Sequence, residues 1–190
     1  LVRRAVTGDN PQMAEMYLPE DEDPRVDPPL VGEERETLVG FLRWQRETFR
    51  LKCEGLTAEQ LARRAVEPSS LSLLGLVRHM ADVECGWFRL MLAGATESRS
   101  FGTPENPDEA FDGVRATDDA VAEAWRAFDE EISFAERFVA EAPDLSITGR
   151  EQWRGEISLR WVLVHMIEEY ARHNGHADLL RERLDGRVGQ

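Results

Sequence analysis

The chain has four histidines among its 190 residues, and three of them fall in the twelve-residue stretch His165-Met-Ile-Glu-Glu169-Tyr-Ala-Arg172-His173-Asn-Gly-His176. On a helical wheel at about 100° per residue, with His165 at zero, Glu169 lies near 40°, His173 near 80° and His176 near 20°. One narrow sector therefore carries all four, as a helix does when it presents ligands to a bundle interior. Axial spacing then limits which of them cooperate. At ~1.5 Å per residue His165 and His176 are ~16 Å apart and cannot share an ion, whereas His165/Glu169 and Glu169/His173 are each ~6 Å apart. His173/His176 is a usable i,i+3 pair, so geometry alone leaves three pairs open. Imidazole and carboxylate bind divalent cations, and a catalytic metal commonly takes three protein ligands and keeps one position free. The fourth histidine, His79, is an eligible third ligand. Asp82 follows it at i+3, as a fourth ligand or as the acceptor for the His79 ring N–H. Cys85, about 240° round from His79, is not favoured. The competing reading is ordinary polar packing, since a single His or Glu on a helix is usually a surface or satisfied core residue. Gly175, which costs ~1 kcal/mol against Ala inside a helix, predicts a close approach by another helix or a ligand.

Four long helices must position these residues. Leu38, Leu42, Phe49 and Cys53, widened by Trp44 and Leu51, predict an amphipathic helix over 33–54. Thr57-Ala-Glu-Gln60 is a capping box that starts a short helix running to about Arg64. Pro68 and Ser69-Ser70 open a second long helix, apolar nearly all round, that Gly94 stops. Residues 95–116 have no steady period and carry Gly102, Pro104, Pro107 and Gly113, a loop long enough to be a functional lid. Thr117 caps a third long helix that Pro143 ends. Residues 144–157 hold a short turn or an extended pair. Ser158 caps the last long helix, and Gly186 is its C′ residue. The fold class is all-α: a four-helix bundle with a short extra helix and a long connection between the second and third long helices, antiparallel neighbour or crossover. Residues 1–30, with five prolines and the acidic run Glu20-Asp21-Glu22-Asp23, form an N-terminal extension that wraps the surface or stays mobile. The bundle occupies 31–186.

Bulk properties remove several function classes. Twenty-three Lys+Arg against 37 Asp+Glu give a net charge of −14, the wrong sign for nucleic acid phosphates or an acidic membrane surface. No apolar run approaches ~20 residues, so no membrane span is expected. Leu1-Val2-Arg3-Arg4 lacks the apolar segment of a secretory signal. Cys53 and Cys85 are too few for a disulfide framework and read as buried, reduced thiols of a cytoplasmic protein.

Two segments carry a family resemblance. Ser70-Leu-Ser-Leu-Leu-Gly-Leu-Val-Arg-His79-Met-Ala-Asp-Val-Glu84, followed by Gly86-Trp87-Phe88, resembles the DinB-like superfamily, as does Glu169-Tyr-Ala-Arg-His173-Asn-Gly-His176-Ala-Asp-Leu-Leu-Arg-Glu182. The resemblance covers roughly residues 30–184. It is closest to the branch that includes mycothiol-dependent S-transferases, with mycothiol-dependent maleylpyruvate isomerase more distant. It implies a four-helix bundle with a divalent metal, often zinc, held by His79, Glu169 and His173. Many superfamily members have two histidines at the last pair; this chain has Glu at the first, as the isomerase branch does. His176 falls where Gln is frequent, as a residue behind the ligands or facing substrate, and His165 lies one turn too early to be a ligand. Homodimerisation is a further family-level expectation.

The chemistry so implied is the holding of a thiol as its thiolate, against a free-thiol pKa of about 8.5. A low-molecular-weight thiol such as mycothiol would then attack an electrophile, in conjugation or detoxification. His176 and Arg172 are candidates for charge or proton transfer; Trp87, Trp153 and the 95–116 loop are candidates for the walls of the thiol or electrophile pocket. The rivals are a thiol-dependent isomerase, a metal hydrolase holding water at the open position, and a non-catalytic bundle that keeps the metal or binds a stress-related ligand. Two histidines and a carboxylate also suit nickel, manganese or iron.

Overall fold

The computed structural model describes residues 23–188 apart from positions 104, 107 and 152. The described elements are α1 (Glu34–Cys53), α2 (Ala58–Ala62), α3 (Leu73–Glu84), α4 (Glu109–Asp112), α5 (Asp118–Glu141), β1 (Thr148–Glu151), β2 (Gly155–Ser158) and α6 (Leu159–Asp185). Hydroxyl caps start the helices as expected: Thr57 accepts from Gln60 N–H, Thr117 from Ala120 N–H and Ser158 from Trp161 N–H. Gly186 ends α6 in the left-handed conformation at φ 77°. The stretch 144–157 resolves as an extended pair, since β1 and β2 form an antiparallel hairpin. Most of the acidic N-terminal extension lies outside the described residues. Its described end packs on α1, with Pro28 and Pro29 against Gly40 and Arg25 over the Trp44 ring at 4.4 Å.

Cross-helix pairs give the helix directions. Arg160 on Glu34, Asn174 on Gln45 and Lys52 on Asp178 rise together, so α6 runs parallel to α1. Arg35 donates to the carbonyls of Val139 and Ala142 while Arg50 pairs with Asp129, so α5 runs antiparallel to α1. His79 beside His173 and Glu84 on Tyr170 set α3 antiparallel to α6. α3 and α5 therefore point the same way. The segment between them must cross back along the bundle, which settles the alternative in favour of a crossover.

That crossover is bound along α3. Asp82 accepts the backbone N–H groups of Ser100, Phe101 and Gly102 at 2.9, 3.1 and 2.5 Å. Arg78 donates to the carbonyls of Glu109 and Gly113. Gly75 and Gly86 leave room for Phe111 and Arg99, which a Cβ would meet at 2.9 and 2.8 Å. Asp82 is thus neither a metal ligand nor the partner of the His79 ring; its two oxygens are spent on loop backbone.

The second long helix also departs from expectation. Beyond Glu84 it continues as a π-helix, Cys85–Leu92, with Ala93 N–H donating to Phe88 C=O. Such segments are rare and recur near functional sites. Gly175 shows no close approach: it is exposed, and a Cβ there would meet nothing within 4 Å. Nothing in the structure explains it.

The core is apolar, from Leu42 and Phe49 through Leu76, Met80 and Phe88 to Phe128, Leu163 and Met166. Set within it is an ionic group. Arg46 donates from Nε and Nη2 to the two oxygens of Glu84 at 2.7 and 2.6 Å, and Tyr170 Oη donates to Glu84 Oε1 at 2.8 Å. Burial alone would lower the Arg46 pKa, but the facing carboxylate outweighs it and keeps the guanidinium charged. Glu84→Gln should destabilise the fold by about 3–5 kcal/mol, because it strands a buried arginine. Tyr170→Phe removes one charge-assisted bond and should cost about 1.5–3 kcal/mol. Urea unfolding measures both, and an equal or smaller loss in Glu84→Gln would contradict the assignment.

Candidate functional site

α3 and α6 bring His79, Glu169 and His173 together. Each offers one ligand atom, and the three atoms lie within 4.8 Å of one another. No other group of three or more His, Cys, Asp and Glu among the described residues converges in this way. His173 is buried, and the Glu169 side chain is only 15% exposed. His173 Nε2 stands 3.4 Å from Glu169 Oε2. The His79 and His173 rings meet edge to face at 4.8 Å between centroids. The i,i+4 pair on α6 follows from helix geometry; the partner from α3 follows from the antiparallel register.

The electrostatics suit lone-pair donation. Burial, and then the neighbouring His173, push the His79 pKa down to about 4, against the pull of Glu169. Burial, then His176 and Arg172, push His173 down to about 4. Both rings are therefore neutral at pH 7, the state in which imidazole ligates a cation. With two neutral imidazoles and one carboxylate, the donor set fits a divalent cation with a position to spare.

The other residues named from sequence are placed as follows. His176 sets its Nδ1 3.3 Å from the His173 Nδ1, so it adjoins the cluster from behind. Arg172 is half exposed and lies over Glu168 and Glu169 at 3.3 and 3.5 Å. His165 is one turn up α6, its Nε2 3.8 Å from Glu169 Oε1 and its Nδ1 3.3 Å from Glu168 Oε2. Trp87, in the π-helix, packs on His165 at 4.8 Å. Trp153, at the hairpin turn, is 86% exposed and forms no ring contact with a described residue.

Three neighbours escaped the sequence reading. Phe111, from the crossover, stacks obliquely on His79 at 5.2 Å. Trp161 stacks on His165 at 4.8 Å with the rings 20° apart. Arg154 lies over Trp87 and Trp161 at 5.9 and 5.6 Å. Trp161 was legible in principle, since it precedes His165 by four residues and extends the same i,i+4 ladder.

Up-down-down-up helices, a crossover on α3 and a His–Glu–His cluster between α3 and α6 describe a DinB-like bundle. The family model described as Mycothiol-S-transferase matches residues 37–186, and the chain belongs to that family. The crystal structure of the conserved protein of locus from Enterococcus faecalis is similar in fold, with a TM-score of 0.57 at 16% identity, over 82% of this chain and 99% of that one. No curated protein matches the chain. No described helix is long and apolar enough to cross a membrane.

The two depressed histidines carry a pH dependence. An unfolded histidine takes its proton near pH 6.5, whereas His79 and His173 in the fold resist it until about pH 4. The unfolded chain thus binds more protons in that interval, and stability falls as pH falls from about 6.5 to 4. At about 1.36 kcal/mol per pKa unit the loss is on the order of 3 kcal/mol per histidine. In chelator-treated protein, urea midpoints at pH 7 and pH 4.5 should show this drop, and His173→Gln should about halve it; an unchanged slope in the variant would refute the assignment.

Proposed function

We propose that this protein is a metal-dependent thiol S-transferase that uses a small thiol of the mycothiol kind to trap electrophiles. The observation that carries the reading is the convergence of His79, Glu169 and His173 from two helices, in a chain whose family is described by that activity. A divalent cation held by these three, most suitably zinc, would keep a bound thiol in its thiolate form at neutral pH.

The chain's own residues supply the rest. Glu169 provides the negative charge of the cluster, and Arg172 Nη1 and His165 Nε2 both approach its Oε1, at 3.5 and 3.8 Å, while Oε2 faces His173. His176 fixes the face that His173 presents, since one N–H must lie between their two Nδ1 atoms. Phe111 packs its ring against His79. The attacking sulfur is not the protein's own. Burial raises the Cys53 thiol to about 12, and burial with the nearby Glu131 raises Cys85 to about 11, so neither forms a thiolate at pH 7. The lack of a ready protein thiolate favours the transferase reading, with its external thiol, over a protein-thiol mechanism.

Two measurements test the reading. Purified protein reconstituted with zinc should hold about one divalent ion per chain by elemental analysis. His79→Ala and Glu169→Ala should each lose it, and His165→Ala should keep it; retention in the first two, or loss in the third, would show the ligand assignment to be wrong. Consumption of 1-chloro-2,4-dinitrobenzene should require added mycothiol and drop at least about 100-fold in His79→Ala, the scale on which loss of a key catalytic interaction is felt. Turnover that persists without thiol would indicate hydrolysis instead.

A further inference from the structure

We propose that Trp161, Trp87 and Arg154 form the electrophile's subsite and that it selects elongated, two-ring aromatic acids; this rests on the S-transferase reading above. Three separate elements build the platform. Trp161 comes from the first turn of α6, Trp87 from the π-helix and Arg154 from the hairpin turn. The two indoles lie 5.3 Å apart, and both contact His165 at 4.8 Å. Trp161 is 40% exposed, so indole surface remains for a planar guest.

Arg154 is exposed, but the backbone that carries it is anchored. The hairpin is seated on the π-helix at Gly149, where any Cβ would overlap the Met91 carbonyl. The Arg154 backbone N–H is held by Glu151 Oε2 at 2.7 Å. Its guanidinium rests over two indoles and pairs with no described carboxylate. In a chain of net charge −14 that is a local cation held only by cation–π attraction, and an acid group on a stacked ligand completes it with charge-assisted hydrogen bonds.

The axial spacing along α6 bears on the length of the guest. Trp161 precedes Glu169 by eight residues, ~12 Å along the helix axis. His165 bridges the interval, touching Trp161 on one side and Glu169 on the other. A guest stacked on Trp161 must cover that interval to bring a reactive carbon to the cluster, which two linked rings do better than one. The reaction is then a displacement. The thiolate sulfur attacks that carbon, a C–S bond forms as the bond to the leaving halide breaks, the halide departs with the electron pair, and the thiol proton goes to solvent.

The test pairs 4′-(chloromethyl)biphenyl-4-carboxylate with its carboxamide, using zinc-loaded protein and mycothiol. Wild-type protein should prefer the acid at least tenfold in kcat/KM. Arg154→Gln should bring the acid-to-amide ratio near one, and Trp161→Ala should lower the turnover of both substrates. Equal use of acid and amide by the wild type, or an unchanged ratio in Arg154→Gln, would overturn the proposal. Binding is read separately, with no thiol present, as quenching of tryptophan fluorescence by unreactive 4′-methylbiphenyl-4-carboxylate. That affinity should fall at least tenfold in Arg154→Gln. Quenching without thiol-dependent turnover would defeat the S-transferase reading and leave the subsite standing. Displacement of the acid by saturating S-methyl mycothiol would assign the platform to the cosubstrate and overturn the proposal.

Discussion

The buried group of Arg46, Glu84 and Tyr170 ties α1, α3 and α6 together at one level of the bundle. Apolar packing specifies register weakly, because volume-conserving exchanges among Leu, Ile and Met are tolerated. A bidentate arginine on a fully buried carboxylate cannot slide without stranding charge. With Glu84 set on Tyr170 and α3 antiparallel to α6, His79 falls opposite His173, and Trp87 falls opposite His165. The cluster and the aromatic platform above it are both consequences of that one register. Such a group adds little net stability over apolar packing, so its role here is best stated as specification of register.

The crossover depends on the same helix. Parallel α3 and α5 require a return strand of chain along the bundle, and such a strand has backbone groups to satisfy. Asp82 and Arg78 satisfy several of them, and Gly75 and Gly86 let the loop lie close. The loop thereby brings Phe111 onto His79. A residue such as Asp82, three positions from a candidate ligand, is readily mistaken for part of the metal chemistry. Its side chain, though, faces the loop and not the cluster.

The local electrostatics separate the two kinds of sulfur and nitrogen chemistry on offer. Both cysteines are sealed as thiols by burial, while burial keeps both clustered histidines neutral. One physical cause, desolvation of the charged form, thus disables the protein's own nucleophiles and prepares its imidazoles as donors.

Much of this was legible in the residues themselves. The i,i+4 placement of Glu169 and His173, the hydroxyl caps at Thr57, Thr117 and Ser158, the stop at Gly186 and the four apolar stripes are local properties. A helix imposes them within a few residues, and a linear pattern records them. The π-helix at Cys85–Leu92 left no such pattern, because one extra residue per turn is set by packing and not by composition. Nor did the choice of crossover over hairpin, the spending of Asp82 on loop backbone, the open surroundings of Gly175 or the meeting of Arg154 with Trp87 and Trp161. Those join residues far apart in the chain. Their partners are chosen by which faces the buried ion pair and the core bring together, and only the assembled fold makes that choice.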